Sequence, residues 1–274
     1  MSLITVEEEK CTQCNACVES CPAALFKVSS EKSYPVIPKP NEPRCIYCGH
    51  CESVCPTGAL THQLSEKALA SVHDMVKTPG SEELSVYFKN RRSIRQFKSK
   101  LINRQTMEKV MDVVRYAPTG SNRQLTQWIV VSNPELIHEL AKSTIDWMKN
   151  LMTTNPEMAT RLSANRLIYA FENGYDGICR KAPHLFISYA PSSHPGGLKD
   201  AVIAASHLEL LLPSFGLGGC WAGYLMVALQ YWPETKRLIG LDDSSSVHAV
   251  LMGGYPKYKY KTIPPRNEPI INWL

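Results

Sequence analysis

Apolar residues recur along this chain at two different periods. In TMEKVMDVVRYAPTGSN, Met107, Val110, Met111 and Val114 fall three or four positions apart, which lines one face of an α-helix that should end before Pro118. A short helical pattern also opens LSVYFKNRRSIRQF before it gives way to arginines. WIVV (128–131) is apolar and β-prone, and Asn133 and Pro134 behind it supply a cap and a first-turn proline, so strand, turn and helix start are expected in succession. HLFISY and VHAVLMGGY read as further buried strands. DAVIAASHLELLLPSFGLGG is apolar almost all round; it predicts a helix buried on most sides, kinked at Pro213 and ended by the glycines from Gly216. Strands alternating with helices indicate a domain of mixed α and β structure.

The first sixty residues are organised differently. CTQCNACVESCP (11–22) returns as CIYCGHCESVCP (45–56), an offset of 34 residues, and the copies end alike in CPAALF and CPTGAL. YPVIPKPNEPRC between them holds four prolines and suits an extended connection better than a helix. Residues 1–60 are therefore expected to form one small domain of two similar halves, 61–84 a connector, and 85–274 the second domain.

Composition narrows the class. The chain has 274 residues, 44% of them hydrophobic and 20% charged, enough apolar mass for a sizeable core. No apolar run approaches the ~20 residues of a membrane helix, and the start, MSLITVEEEK, has three glutamates where a signal peptide carries lysine and arginine. The expectation is a cytoplasmic protein with no membrane partner. A reducing cytoplasm disfavours disulfides, so clustered thiols point to metal or catalysis. Residues 1–80 carry 7 Lys and Arg against 9 Asp and Glu, and residues 81–274 carry 23 against 16. The basic residues of the second part are dispersed, so no nucleic-acid partner is expected.

Eight of the ten cysteines lie in the two phrases. Structural zinc would call for two well-separated C-x-x-C pairs, with no use for a third evenly spaced thiol or the following proline. C-x-x-C-x-x-C-x-x-x-C-P is instead the spacing of bacterial [4Fe-4S] ferredoxins, and the N-terminal domain resembles the two-cluster type over its whole length. In that pattern the fourth cysteine serves the other cluster. The resemblance thus implies one cluster on Cys11, Cys14, Cys17 and Cys55, and another on Cys45, Cys48, Cys51 and Cys21. Bound metal would supply much of so small a domain's stability. With the ligand count complete, His50 and His62 are expected to be solvated loop residues.

A ferredoxin fused to a second domain directs attention to a further redox cofactor. RRSIR sets three guanidiniums and a hydroxyl within five residues, and alternation along an extended segment would turn Arg91, Ser93 and Arg95 to one side. RRSIRQF, then APTGSNRQLTQW, GLGGCWAGY, GGYP and PPR, in that order, resemble the nitroreductase family of FMN-dependent flavoproteins across residues 85–274; the whole chain resembles a ferredoxin-domain nitroreductase. The implied fold is α+β, a two-cluster ferredoxin domain followed by an FMN-binding domain with a mixed β-sheet flanked by helices.

Carried over residue by residue, the resemblance implies that Arg91, Arg92, Ser93 and Arg95 hold the FMN phosphate, ribityl chain and pyrimidine ring. It further implies that Pro118, Thr119, Gly120, Asn122 and Gln124 reach the flavin of the other subunit, that backbone amides at Ala222 and Gly223 approach flavin N5, and that Arg266, with Lys257 or Lys259, closes on the phosphate. Thr119-Gly120 and Leu125 depart from the family's usual small polar pair and proline. Cys220 and Cys179 read as small buried residues and Trp221 as a packing residue near the flavin. GLGGCWAG lacks the third glycine of a dinucleotide fingerprint and follows an apolar helix rather than opening one.

The expected protein is a homodimer with FMN at the subunit interface and two [4Fe-4S] clusters, reducing nitroaromatic or similar electron-poor small molecules, with ferredoxin or NAD(P)H as an external electron donor. No side chain is assigned as proton donor. Two other readings stand beside it: an oxidase or dehydrogenase passing electrons from substrate to the clusters, and a redox sensor or electron carrier without turnover.

Overall fold

The two cysteine phrases fold alike. Each runs as an irregular loop into a single helical turn, α1 (Ala16–Glu19) and α2 (His50–Ser53), entered through a left-handed residue, Asn15 and Gly49. Two short strands, β1 (Ile4–Val6) and β2 (Leu60–His62), pair antiparallel with Ile4 opposite His62. β2 therefore runs two residues past the expected end of the first domain. Leu3, Ile4, Leu25, Ile37 and Leu60 pack among the cysteines as a small core. The proline-rich connection is only partly extended: Val36 bridges Lys27, but Lys39–Arg44 wind into a 3-10 turn. Pro40 sits in the first turn of that element, where a missing N–H costs nothing. The structure, a computed structural model, describes residues 2–27, 34–63 and 78–274. Most of the expected connector, 64–77, lies outside the described residues.

The chain divides into two units, Met1–Thr78 with Ser121–Arg123, and Pro79–Gly120 with Gln124–Leu274. The second unit opens with α3 (Ser81–Asn90), which starts ahead of residue 85; the Glu83 carboxylate accepts the Gly80 N–H at its start. α4 (Arg104–Val114) is capped by Asn103, whose side chain accepts the Thr106 N–H at 2.8 Å, and it buries Val110 and Val114 as the spacing predicts. Next come β3 (Gln127–Val131) and α5 (Pro134–Thr154), with Asn133 capping and Pro134 leading. α6 (Pro156–Arg161), α7 (Ala164–Glu172), β4 (His184–Pro191) and α8 (Gly197–Leu211) follow. β5 (Gly218–Trp221), α9 (Gly223–Tyr231), α10 (Pro233–Arg237) and β6 (Ser245–Gly254) complete the order.

The four strands of this unit lie in the order β3-β4-β6-β5, every pairing antiparallel rather than mixed. Alternation sends Leu185, Ile187, Val250 and Met252 into one apolar layer with Leu140 of α5 and Leu225 of α9. Phe186, Ala249 and Leu251 enter the opposite layer with Val110 of α4 and Leu208 of α8. Because helices cover both faces, the strands read as unbroken apolar runs, not as alternating ones. Two expectations need correction here. Leu198 and Ile203 of α8 are exposed, so the helix is buried on one side. Pro213 kinks nothing: α8 stops at Leu211 and Pro213 sits in the first turn of a separate 3-10 element, Leu212–Phe215, closed by left-handed Gly216. Residues 257–274 carry no helix or strand and are exposed throughout.

Close approach at the centre of the sheet demands glycine. A Cβ on Gly253 would stand 2.5 Å from the Phe186 ring, whose buried side chain cannot retreat without opening the layer behind it. Gly253→Ala is expected to destabilise the second unit by about 1–3 kcal/mol through overpacking, read as a lower urea midpoint; an unchanged midpoint would show that Phe186 yields freely.

Candidate functional site

In the first unit the thiols gather in crossed sets. Cys11, Cys14, Cys17 and Cys55 line one hollow, and Cys21, Cys45, Cys48 and Cys51 line the other. They surround a space rather than converge on a point: among the described residues no three His, Cys, Asp or Glu side chains could hold a single metal ion. Burial pushes the Cys51 thiol up to about 11 and raises those of Cys17 and Cys45, with neighbouring thiols adding repulsion. At Cys55 burial also acts upward, but the backbone N–H groups of Leu60 and Thr57 and the Thr57 hydroxyl outweigh it and hold the thiol below its ordinary value. Crowded, buried thiols ionise together only around strong positive charge. Two hollows with four sulfur donors each therefore fit a pair of multi-iron centres. His62 is not a solvated loop residue: it is buried on β2, with its Nε2 3.5 Å from Cys45 Sγ. His50 is exposed.

In the second unit RRSIRQF leaves α3 and runs beside β5, where the Ile94 N–H donates to the Gly219 carbonyl at 2.9 Å. Arg91 donates to Glu209 Oε1 at 3.0 Å and reaches Ser93 Oγ at 3.5 Å, while Glu209 Oε2 accepts the Trp221 indole N–H at 3.2 Å. Arg95 lines a cleft with Arg180, Cys220, Trp221, Ala222 and Gly223. The Ala222 N–H is committed to the Val250 carbonyl, so of the two expected amides it is Gly223, first residue of α9, that lies at a helix end without an intrahelical acceptor. Burial raises the Cys220 thiol, against the pull of the Arg95 and Arg180 charges. Cys179 is fully buried and its thiol is raised well above the ordinary value by burial.

Arg92 takes a different course. Its Nη1 donates to the Lys89 and Arg91 carbonyls, and its side chain lines a second cleft with Lys98, Lys257 and Lys259. Arg92 Nε and Nη2 are buried without a protein acceptor, donors that an anionic group could satisfy. Arg266 is exposed and lines neither cleft. Thr119 Oγ1 accepts the Gln124 N–H at 3.0 Å, and the Gly120 N–H donates to buried Asp200 at 2.9 Å, which also pairs with His194 at 2.9 Å. Pro118 is exposed next to this turn. Asn122 belongs to the first unit, where its amide donates to the Ile46 and Tyr47 carbonyls. Glu209 and Asp200 were not anticipated; a lone carboxylate on the packed face of an apolar helix was the available signal.

Comparison with known proteins agrees with this division. The Nitroreductase family profile matches residues 88–255, and that of the 4Fe-4S dicluster domain matches 10–60. An uncharacterized ferredoxin of Methanocaldococcus jannaschii is 39% identical over 59 residues, covering 21% of this chain and 89% of that protein. A nitroreductase with bound FMN from Desulfitobacterium hafniense has the same fold at 21% identity and a TM-score of 0.56, covering 72% of this chain and 100% of its own. One from Bacteroides fragilis, also with bound FMN, gives 20% identity and a TM-score of 0.54, covering 69% and 99%.

Glu209 ties Arg91 to Trp221, so removing it strands a guanidinium and an indole N–H. Glu209→Ala is expected to cost about 1–3 kcal/mol of stability and to alter Trp221 fluorescence. A variant with wild-type unfolding and emission would show that neither contact matters.

Proposed function

The chain belongs to the nitroreductase family, and on that premise we propose that it is an FMN-dependent oxidoreductase that reduces nitroaromatic or similarly electron-poor small molecules with electrons relayed through two [4Fe-4S] clusters. The observation carrying this reading is the pairing, on one chain, of two four-cysteine hollows with a cleft that joins Arg95 to the start of α9. When bound, the clusters move electrons singly and the flavin delivers them in pairs.

The chain's own residues bind and orient. In this reading residues 1–60 form the iron–sulfur domain, with the crossed cysteine sets as ligands, and residues 85–274 the flavin domain. Arg91, aimed by Glu209, would work with Ser93 on the phosphate and ribityl chain, and Arg92, Lys257 and Lys259 would add positive charge at the phosphate end; Arg266, expected there too, lines neither cleft. Arg95 and the Gly223 N–H would face the flavin ring and favour negative charge there. Pro118, Thr119, Gly120 and Gln124 would reach the flavin of a second copy, making the protein a homodimer, whereas the Asn122 amide, expected there too, is bonded to the Ile46 and Tyr47 carbonyls. The tail supports this: Ile270 and Trp273 are 98% and 88% exposed in the single chain, an arrangement that burial against a partner would relieve. A reducing cytoplasm suits the thiolate ligands, with NAD(P)H or a ferredoxin as electron source.

Anaerobic turnover of a nitroaromatic by dithionite-reduced holoenzyme tests the activity, and Cys21→Ala tests the relay. We expect turnover in the wild type. The variant should lose the cluster of Cys45, Cys48 and Cys51 by iron analysis and EPR while keeping the other, and should turn over more slowly. Absent turnover sinks the enzyme reading, and loss confined to the cluster of Cys11, Cys14 and Cys17 sinks the crossed ligation.

Deleting Ile270–Leu274 is expected to weaken the dimer and loosen FMN together with iron content unchanged, followed by analytical ultracentrifugation and flavin absorbance. A truncated dimer with full FMN would make the tail dispensable, and a monomer that keeps its flavin would refute a shared site.

A further inference from the structure

One histidine stands against a single member of the second cysteine set. His62 is 2% exposed, its Nε2 lies 3.5 Å from Cys45 Sγ, and the Tyr47 ring meets it edge-on with centroids 5.6 Å apart. Its backbone N–H is tied to Glu52 Oε2 at 3.2 Å, which fixes β2 beside α2. Burial, opposed by the Glu52 charge, holds the imidazole below its ordinary pKa. A thiolate bound to iron has no proton to give, so this contact has one polarity: the imidazole N–H donates and the sulfur accepts. The Tyr47 backbone N–H approaches the same sulfur at 3.4 Å.

Among the described residues no imidazole lines the hollow of the first cysteine set. Cys11 is the counterpart of Cys45, and the residue 34 positions before His62 is Val28. Two halves built on one ligand spacing thus differ in their side-chain donors: a buried imidazole stands 3.5 Å from Cys45 Sγ in one set, and the exposed Thr57 hydroxyl stands 3.8 Å from Cys55 Sγ in the other.

We propose that His62 tunes the centre held by Cys21, Cys45, Cys48 and Cys51: its N–H bond to Cys45 Sγ raises that cluster's reduction potential above that of its twin, so that an arriving electron settles there by preference. The proposal rests on the iron–sulfur reading above. Reduction adds one negative charge to the cluster, and a donor aimed at a ligand sulfur stabilises that charge, the more so where water is excluded.

Anaerobic redox titration of holoprotein, followed by EPR, tests it with two variants. His62→Phe fills the site without a donor, and His62→Gln keeps an N–H. We expect two midpoint potentials in the wild type, the higher falling toward the lower in H62F and falling less in H62Q, with the other centre unmoved and iron content constant. HYSCORE on wild-type protein labelled with 15N-histidine should show nitrogen coupling to one reduced cluster, a readout that survives if a variant misfolds. Equal shifts of both centres, equal effects of Phe and Gln, no shift in H62F with both clusters present, or no histidine coupling would each overturn the tuning role. Wild-type protein lacking two reducible clusters would overturn the iron–sulfur reading itself.

Discussion

Each half of the first unit lacks the fourth sulfur for its own hollow and takes it from the other half. That exchange makes the two phrases interdependent: Cys21 and Cys55 complete the four-sulfur linings only when both loops are in place. Among the described residues the apolar core is small, a few residues such as Leu25, Ile37 and Leu60 set among the thiols, so side-chain burial among them alone holds the halves weakly. Under the proposed ligation, crossing would supply what the core lacks, because separating the halves would expose two centres at once. The β1–β2 ladder then closes the unit around them.

In the second unit one backbone contact organises the cleft. With the Ile94 N–H bonded to Gly219, the segment behind α3 behaves as an additional edge beside β5, and successive side chains part company. Arg91, Ser93 and Arg95 gather around Glu209, Trp221 and Cys220, while Arg92 turns to the cleft of Lys257 and Lys259. Glycines make the approach possible, since a Cβ at Gly218 would collide with the Ile94 side chain.

Periodicity foretold what local chemistry controls. α4, the Asn133 cap with Pro134, and the strands at 184–191 and 245–254 were legible because spacing, capping and β-propensity agree there. β5 was not, because GGCW has little strand propensity and its pairing with β6 is a tertiary fact. Pro213 was misread because a proline that interrupts a helix and one that begins the next turn look the same in sequence. The cysteine repeat announced which four thiols line each hollow. The place of His62 depended on β2 folding back to α2, an encounter across the unit that no motif encodes.

The pairing of β1 with β2 has a consequence for how such chains arise. It sets Ile4 opposite His62, so the two ends of the cysteine-bearing segment 4–62 lie side by side. A segment whose two ends meet can be joined to another fold without being threaded through it. Its match to a ferredoxin along 89% of that protein's length is the mark of such modularity. Recombination could then join electron storage to a flavin fold in one step, leaving the interior of each unit untouched.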